Sequence, residues 1–260
     1  MTAVLRVESR KLFRSTLVLT GLLALLSAFF LLVFPSIQAE AELVEQVYPA
    51  YMLELLGIEE LHTIEGFAGG YIFPFAWVLL GGIYFAYVSA GTISRDVRTR
   101  RMDLTLSNPV SRESVVLQKV AALWVPLAGL TIGLAVVLFA GARLLGEPFD
   151  PVPLAMVHLL GVPYLLVCAA IGTVLSVTVD RVETAQAAAL VLVFSLWLVD
   201  GLSHMSPDFE WVSDLTPSRY YDPSAILVHE EYAFGDAGIL LAAFLVLLAA
   251  AVVIFTRRDI

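Results

Sequence analysis

Lysine is nearly absent from this sequence: Lys11 and Lys119 are the only two. A phosphate-binding loop needs Gly-Lys ahead of Ser or Thr. These lysines come after Arg10 and Gln118, so the chain cannot bind ATP by that means. Cysteine is rarer still. Cys168 stands alone, so no internal disulfide can form, and its apolar surroundings suit core packing better than a reactive thiol. The glycine-rich dinucleotide fingerprint, the His-Glu-x-x-His zinc signature and the Gly-x-Ser-x-Gly nucleophile turn are all missing. Glu230-Glu231 resembles the paired glutamates of membrane prenyl-protein proteases, but Gly235 stands where that motif needs an arginine. His62 and Glu65 lie one turn apart, and two ligands alone do not make a metal site. These absences point away from an enzyme. They imply no catalytic residue, no metal site and no cofactor held by this chain.

What the sequence has in abundance is long apolar runs. Six stretches, near 15–37, 71–94, 120–145, 154–179, 185–202 and 237–256, approach or exceed the ~20 residues that cross a bilayer as a helix. Backbone in lipid must satisfy its own hydrogen bonds, so runs of this length are helices. The expected fold is an all-α membrane protein of six transmembrane helices in a single domain spanning 1–260. The first run is too long for a cleavable signal peptide, lacks a small-residue cleavage site, and is followed by five more.

Charge orients the bundle. With both termini inside, 13 of the 15 basic residues lie on the inner side against seven acidic ones, a balance of +6. Only Arg143 and Arg219 fall outside, against 17 acidic residues, a balance of −15. Orientation follows Lys and Arg in short loops, which predicts N-in, C-in topology in the cell membrane. The net charge of −9 therefore reflects an acidic outer surface and implies no nucleic-acid partner. Thirteen arginines beside two lysines, with that acidity, suit a halophilic archaeon, and a GC-rich genome gives the same arginine bias. Trp77, Trp124, Trp197 and Trp211 fall near expected interfaces, where amphipathic rings are favoured. Asp200, Arg143 and His158 lie near outer span ends and read as interface anchors. No central carboxylate relay marks an ion pump. Hydroxyl-bearing Tyr84, Tyr87, Tyr164 and Thr173 suit an amphipathic cargo or plain packing.

The loops differ in character. The outer loop 38–70 carries seven Glu and no Lys or Arg. Its apolar residues Val44, Val47, Tyr48, Tyr51, Met52, Leu55 and Leu56 recur at three and four, which predicts an amphipathic surface helix. The outer loop 203–236 is cut by Ser206-Pro207, Thr216-Pro217 and Asp222-Pro223 into pieces that suit short surface or re-entrant helices. Pro74, Pro126 and Pro163 are expected to kink spans. Gly82, Ala86, Ala90 and Ser94 repeat every four residues in the second span, and Gly129 and Gly133 do so in the third. Small residues at this spacing permit close helix contact, within the chain or across a dimer seam.

The inner loop 95–119 carries the family resemblance. It holds Asp96, then Asp103-Leu104, Leu106-Ser107, Pro109-Val110-Ser111-Arg112 and Lys119. This resembles the permease subunits of ATP-binding-cassette transporters of the second exporter type, over nearly the whole chain. Those permeases read Glu-x-x-x-Gly-Thr-Leu-Glu, then Leu, Leu-Ser, Pro-Val-Ser-Arg and a Lys. Arg100-Arg101 here replaces Gly-Thr. The tail Phe255-Thr256-Arg257-Arg258-Asp259 also looks like the family's. The resemblance implies a cytoplasmic ABC ATPase subunit that binds ATP and Mg, a second permease copy, and export across the lipid bilayer. It implies a coupling role for Asp96, Arg100, Asp103, Leu104, Leu106, Pro109 and Arg112. It also implies that residues 1–14 form an amphipathic helix on the inner side. From the residues alone, the loop could equally meet anionic lipid heads, and the chain could be a non-transporting assembly or scaffold protein. Ser111 is expected to cap the helix that leads into the third span.

Overall fold

The computed structural model describes residues 3–47, 60–203 and 207–258. Within them the chain is helical, with no strand. Among the described residues, six helical stretches are long and apolar enough to cross a membrane: Ala3–Ala41, Ile64–Arg98, Arg112–Leu145, Pro151–Thr178, Val182–Ser203 and Phe234–Arg257. Each span expected from the sequence falls on one of them.

The first helix, α1, runs Ala3–Val47 through Pro35. At 1.5 Å per residue its 45 residues extend ~68 Å, over twice the hydrocarbon thickness. The amphipathic opening stretch therefore continues without a break into the first span. The surface helix expected from Tyr48, Tyr51, Met52, Leu55 and Leu56 lies outside the described residues.

The second span is built from four pieces. Thr63 caps α2 (Ile64–Phe67), accepting the Gly66 N–H at 3.0 Å. A fourteen-residue π-helix, Ala68–Gly81, comes next, and α3 (Gly82–Ala90) and α4 (Thr92–Arg98) complete it. The π segment contains Gly69, Gly70 and Pro74. Glycine adds backbone entropy and proline removes a donor, so the ordinary α ladder is weak here. A short helix, α5 (Arg101–Leu106), leads to α6 (Arg112–Ala121) and α7 (Trp124–Leu145). Pro126, third in α7, has no N–H for Ala122 and marks the break between α6 and α7. Then come α8 (Pro151–Thr178), α9 (Val182–Ser203), α10 (Pro223–Val228) and α11 (Phe234–Arg257).

Helix α8 is the hub, with α3, α9 and α11 packed around it. Small residues set these distances. Gly172 on α8 lies against the Ala86 carbonyl on α3, and Gly82 faces the Tyr164 hydroxyl and Cys168. The α1–α7 pair meshes similarly, with Gly129 against Thr16, Gly133 against Thr20 and Gly141 against Leu31. Such contacts let membrane helices approach closely. The Gly82, Ala86, Ala90, Ser94 stripe and the Gly129, Gly133 pair thus make contacts within the chain. Ser94 adds polar ones: the Ile93 and Ser94 N–H groups both donate to Ser176 Oγ on α8 at 3.0 Å.

The acidic end of the bundle is closed by caps. Gly146, at φ 87°, ends α7, while Glu147 N–H donates to the Ala142 carbonyl and Gly146 N–H to that of Arg143. Asp150 caps α8 with Pro151 behind it, and Asp222 caps α10 with Pro223 behind it. Helix α10 turns back to bury Ile226 and Leu227, and it packs on the π segment. A 3₁₀ helix, Pro207–Leu215, packs on α9. Short helices in this loop therefore replace free coil, in keeping with its proline punctuation. Tyr221 donates to the Val157 carbonyl at 2.8 Å, and burial holds its phenol well above the ordinary tyrosine range.

Two interface readings change. Trp77 is buried, donates to the Gly161 carbonyl at 3.3 Å and packs edge-on with His158. His158 is buried between Phe73 and Trp77, with Nδ1 on the Leu154 carbonyl at 2.8 Å. Both are interior residues because α10 and its flanking loop cover the ends of α8 and the π segment. Trp124 and Trp211 are exposed. Tyr164 and Thr173 donate to the Val78 and Ala169 carbonyls, which is packing chemistry.

Candidate functional site

The basic end of the bundle carries α4, α5 and α6, and here the apolar pattern breaks. On α6 the buried stripe reads Val115, Val116, Lys119, Val120. A lysine in such a stripe must find carboxylates, since an unpaired buried charge is costly. Lys119 Nζ donates to Asp96 Oδ2 at 2.6 Å, to Glu8 Oε1 at 3.2 Å and to the Thr92 carbonyl at 3.0 Å. Its side chain is 2% exposed. Glu8 also holds Lys11 at 2.7 Å. One ammonium thus ties α1, α4 and α6 together. Nearby, Gln118 accepts the Leu5 N–H at 3.2 Å.

A second set of contacts holds the ends of α6, α8 and α11. Arg112 donates to the carbonyls of Phe255 and Thr256, each at 3.4 Å, and to that of Arg258. These are among the orphan carbonyls at the end of α11. Arg258 in turn donates to the Val177 carbonyl at 2.7 Å and pairs with Asp180. Arg98 pairs with Glu183, fastening α4 to the start of α9. Ser111 caps α6 as expected, accepting the Ser114 N–H at 3.2 Å.

Between these fastenings, α5 stands out from the body. Met102 is its anchor and is fully buried. Arg100, Asp103 and Pro109 are exposed, Leu104 is 71% exposed, and Leu106 is half-buried. The turn into α5 puts Arg100 at φ 56°, the left-handed region. That is where the resembled pattern has glycine, so the turn is kept although the residue that favours it is absent.

The residues singled out in the loop therefore separate into two groups. Arg100, Asp103, Leu104 and Pro109 face outward, with Leu106 at their edge. Asp96 and Arg112 face inward and are engaged within the chain. The family pattern marks positions but not which side of a short helix meets the body. It assigns no bracing role to Lys119, Glu8, Met102 or Arg258. Lys119 is nonetheless legible: a lysine three residues after Val116 and next to Val120 lies on the apolar stripe. Glu8 and Arg258 act across more than a hundred residues of chain, and no local pattern exposes them.

Among the described residues, no group of three or more His, Cys, Asp or Glu could hold a metal ion. No curated protein matches the chain. A family model described as "ABC-2 family transporter protein" matches residues 3–260. The chain belongs to the ABC-2 transporter family, and it is a multi-pass membrane permease.

Proposed function

We propose, from that membership, that the chain is the membrane half of an exporter whose power stroke is supplied by a separate ATPase subunit. The permease works beside a second copy, and ATP and Mg are bound by the partner. The basic end faces the cytoplasm of the cell, because short loops rich in Lys and Arg stay inside. The chain itself performs no catalysis.

One observation carries this reading. A short helix with an exposed Leu104, Asp103 and Arg100 is held on a braced platform. Its support, Met102, is buried, and the flanking Asp96 and Arg112 are locked into the body. An unbraced loop would merely float over lipid heads. A braced one can transmit a push. Force on α5 passes through Asp96 and Lys119 to α1 and α6, and through Arg112 to α11. In this reading Asp96 and Arg112 are positioning residues, while Arg100, Asp103, Leu104, Leu106 and Pro109 meet the ATPase.

The test is co-purification of the permease with its ATPase. Asp103→Ala and Leu104→Asp should fold and insert normally yet lose the ATPase, or keep it with hydrolysis uncoupled from transport. A charge buried at an interface and left unpaired costs ~2–5 kcal/mol. If the loop served only lipid, Asp103→Ala would favour anionic heads and leave assembly intact. Full assembly and transport in both variants would overturn the docking assignment. A permease that never captures any ATPase would favour the scaffold reading.

A further inference from the structure

A groove of about 770 Å³ lies between α1 and α7 and opens at the basic end. Its walls are apolar: Phe13 and Leu17 from α1, Val125, Ala128 and Ile132 from α7. Arg6 and Arg10 stand at its mouth with Trp124. We propose that this groove is a binding site for one anionic glycerophospholipid, its phosphate between Arg6 and Arg10 and an acyl chain along the slot.

Charge sorting on α1 supports the headgroup assignment. Arg6 and Arg10 are four residues apart and share a helix face. Glu8 lies about 200° around the helix from each of them, and it is held by Lys11 and Lys119. No ion pair or hydrogen bond engages either guanidinium among the described residues. Two forked cations without a counter-ion complement a phosphate. Trp124 stands beside them, its indole N–H donating to Ser9 Oγ at 3.3 Å, with an apolar ring and a polar tip suited to the headgroup level.

Length argues for a lipid rather than a protein helix. From Arg10 to Thr20 the slot tracks ten residues of α1, or ~15 Å at 1.5 Å per residue. Half the ~30 Å hydrocarbon core is the same depth. Thr16 against Gly129 and Thr20 against Gly133 form the floor of the slot, and its lining ends at Thr20 and Gly133. At the floor, Thr20 Oγ1 is buried with no hydrogen-bond partner.

Trp124 supplies the assay. The full chain is reconstituted in phosphatidylcholine vesicles that carry a minor fraction of brominated phosphatidylglycerol or, separately, of brominated phosphatidylcholine. The Trp124 signal is the difference between wild type and Trp124→Phe. Two arginines at ~1 kcal/mol each correspond to a preference of about thirtyfold for the anionic lipid. Arg6→Gln with Arg10→Gln should abolish the preference, and Arg6→Lys with Arg10→Lys should retain part of it. Ala128→Phe should fill the slot and lower quenching by both lipids. Equal quenching of wild type by the two lipids, or a preference that survives the double Gln change, would overturn the proposal. So would full protection by soluble glycerol phosphate at matched concentration, which needs no chain. Efficient cross-linking of Ala128→Cys, in a Cys168→Ser chain, to a second copy would assign the groove to a protein seam instead. The inference needs only membrane placement, so its failure leaves the docking reading of α5 untouched.

Discussion

Lys119→Met is the sharpest single perturbation of the platform. Methionine keeps the apolar stem and removes the charge. The lysine is 2% exposed, while the Asp96 and Glu8 side chains are 10% and 12% exposed. Removing the ammonium strands the Asp96 carboxylate in a poorly solvated pocket and leaves Glu8 with Lys11 alone. Breaking a buried ion pair from one side costs ~3–5 kcal/mol, mostly through the charge left behind. At ~2–4 °C per kcal/mol for a chain of this size, the melting point should fall on the order of 10 °C. The chain carries its own reporter, since Cys168 is its only thiol and is fully buried. A thiol-reactive dye then reads unfolding directly in detergent or nanodiscs. The control is Arg98→Ala, which removes an exposed pair and should leave the melt within error. The triple change Lys119→Met, Asp96→Asn, Glu8→Gln should recover much of the loss, because neutral isosteres leave no stranded charge. A Lys119→Met melt equal to wild type would refute the argument. So would an equal fall in Arg98→Ala, which would mean that burial does not set the cost.

Other contacts give further expectations. Arg100→Gly should raise the melting point, since a left-handed L-residue costs ~1–2 kcal/mol that glycine avoids, and the same dye melt reads it. Gly172→Ala should destabilise by ~1–3 kcal/mol, because its Cβ would run into the Ala86 carbonyl, whereas Gly21→Ala meets nothing within 4 Å and should be neutral or better. In a Cys168→Ser chain, a cysteine placed at Asp214 should label from outside intact cells and one at Arg100 only after permeabilisation; the reverse would invert the topology.

Much of this architecture is legible in the sequence because bilayer thickness and hydrogen-bond closure leave few options for long apolar runs. The six spans come from that constraint, and the caps at Asp150-Pro151, Asp222-Pro223 and Ser111 come from side-chain chemistry. The π segment does not, since Gly69, Gly70 and Pro74 announce a weak α ladder without saying how it is rewound. Nor does the burial of His158 and Trp77, which depends on α10 folding back over them from sixty residues or more downstream. At the platform, sequence singles out this loop without telling the exposed α5 residues from Asp96 and Arg112, which are engaged within the chain. Hydropathy alone cannot tell a charge facing a partner from a charge facing a lysine 23 residues away.

The π segment also limits how this chain can change in length. In a helix, every residue added or removed rotates the N-terminal part by about 100° relative to the C-terminal part. A single deletion within Ala68–Gly81 would rewind the segment toward α geometry and swing α2 around the axis. Phe67 would leave Phe34, whose ring centroid lies 5.3 Å away. Gly69 would leave Ser224, whose Cα sits within 2.9 Å of where a β-carbon would be. Point substitutions at the outward positions of this stretch, such as Phe75, disturb neither contact. The segment can therefore drift in composition on its exposed side while its residue count stays locked.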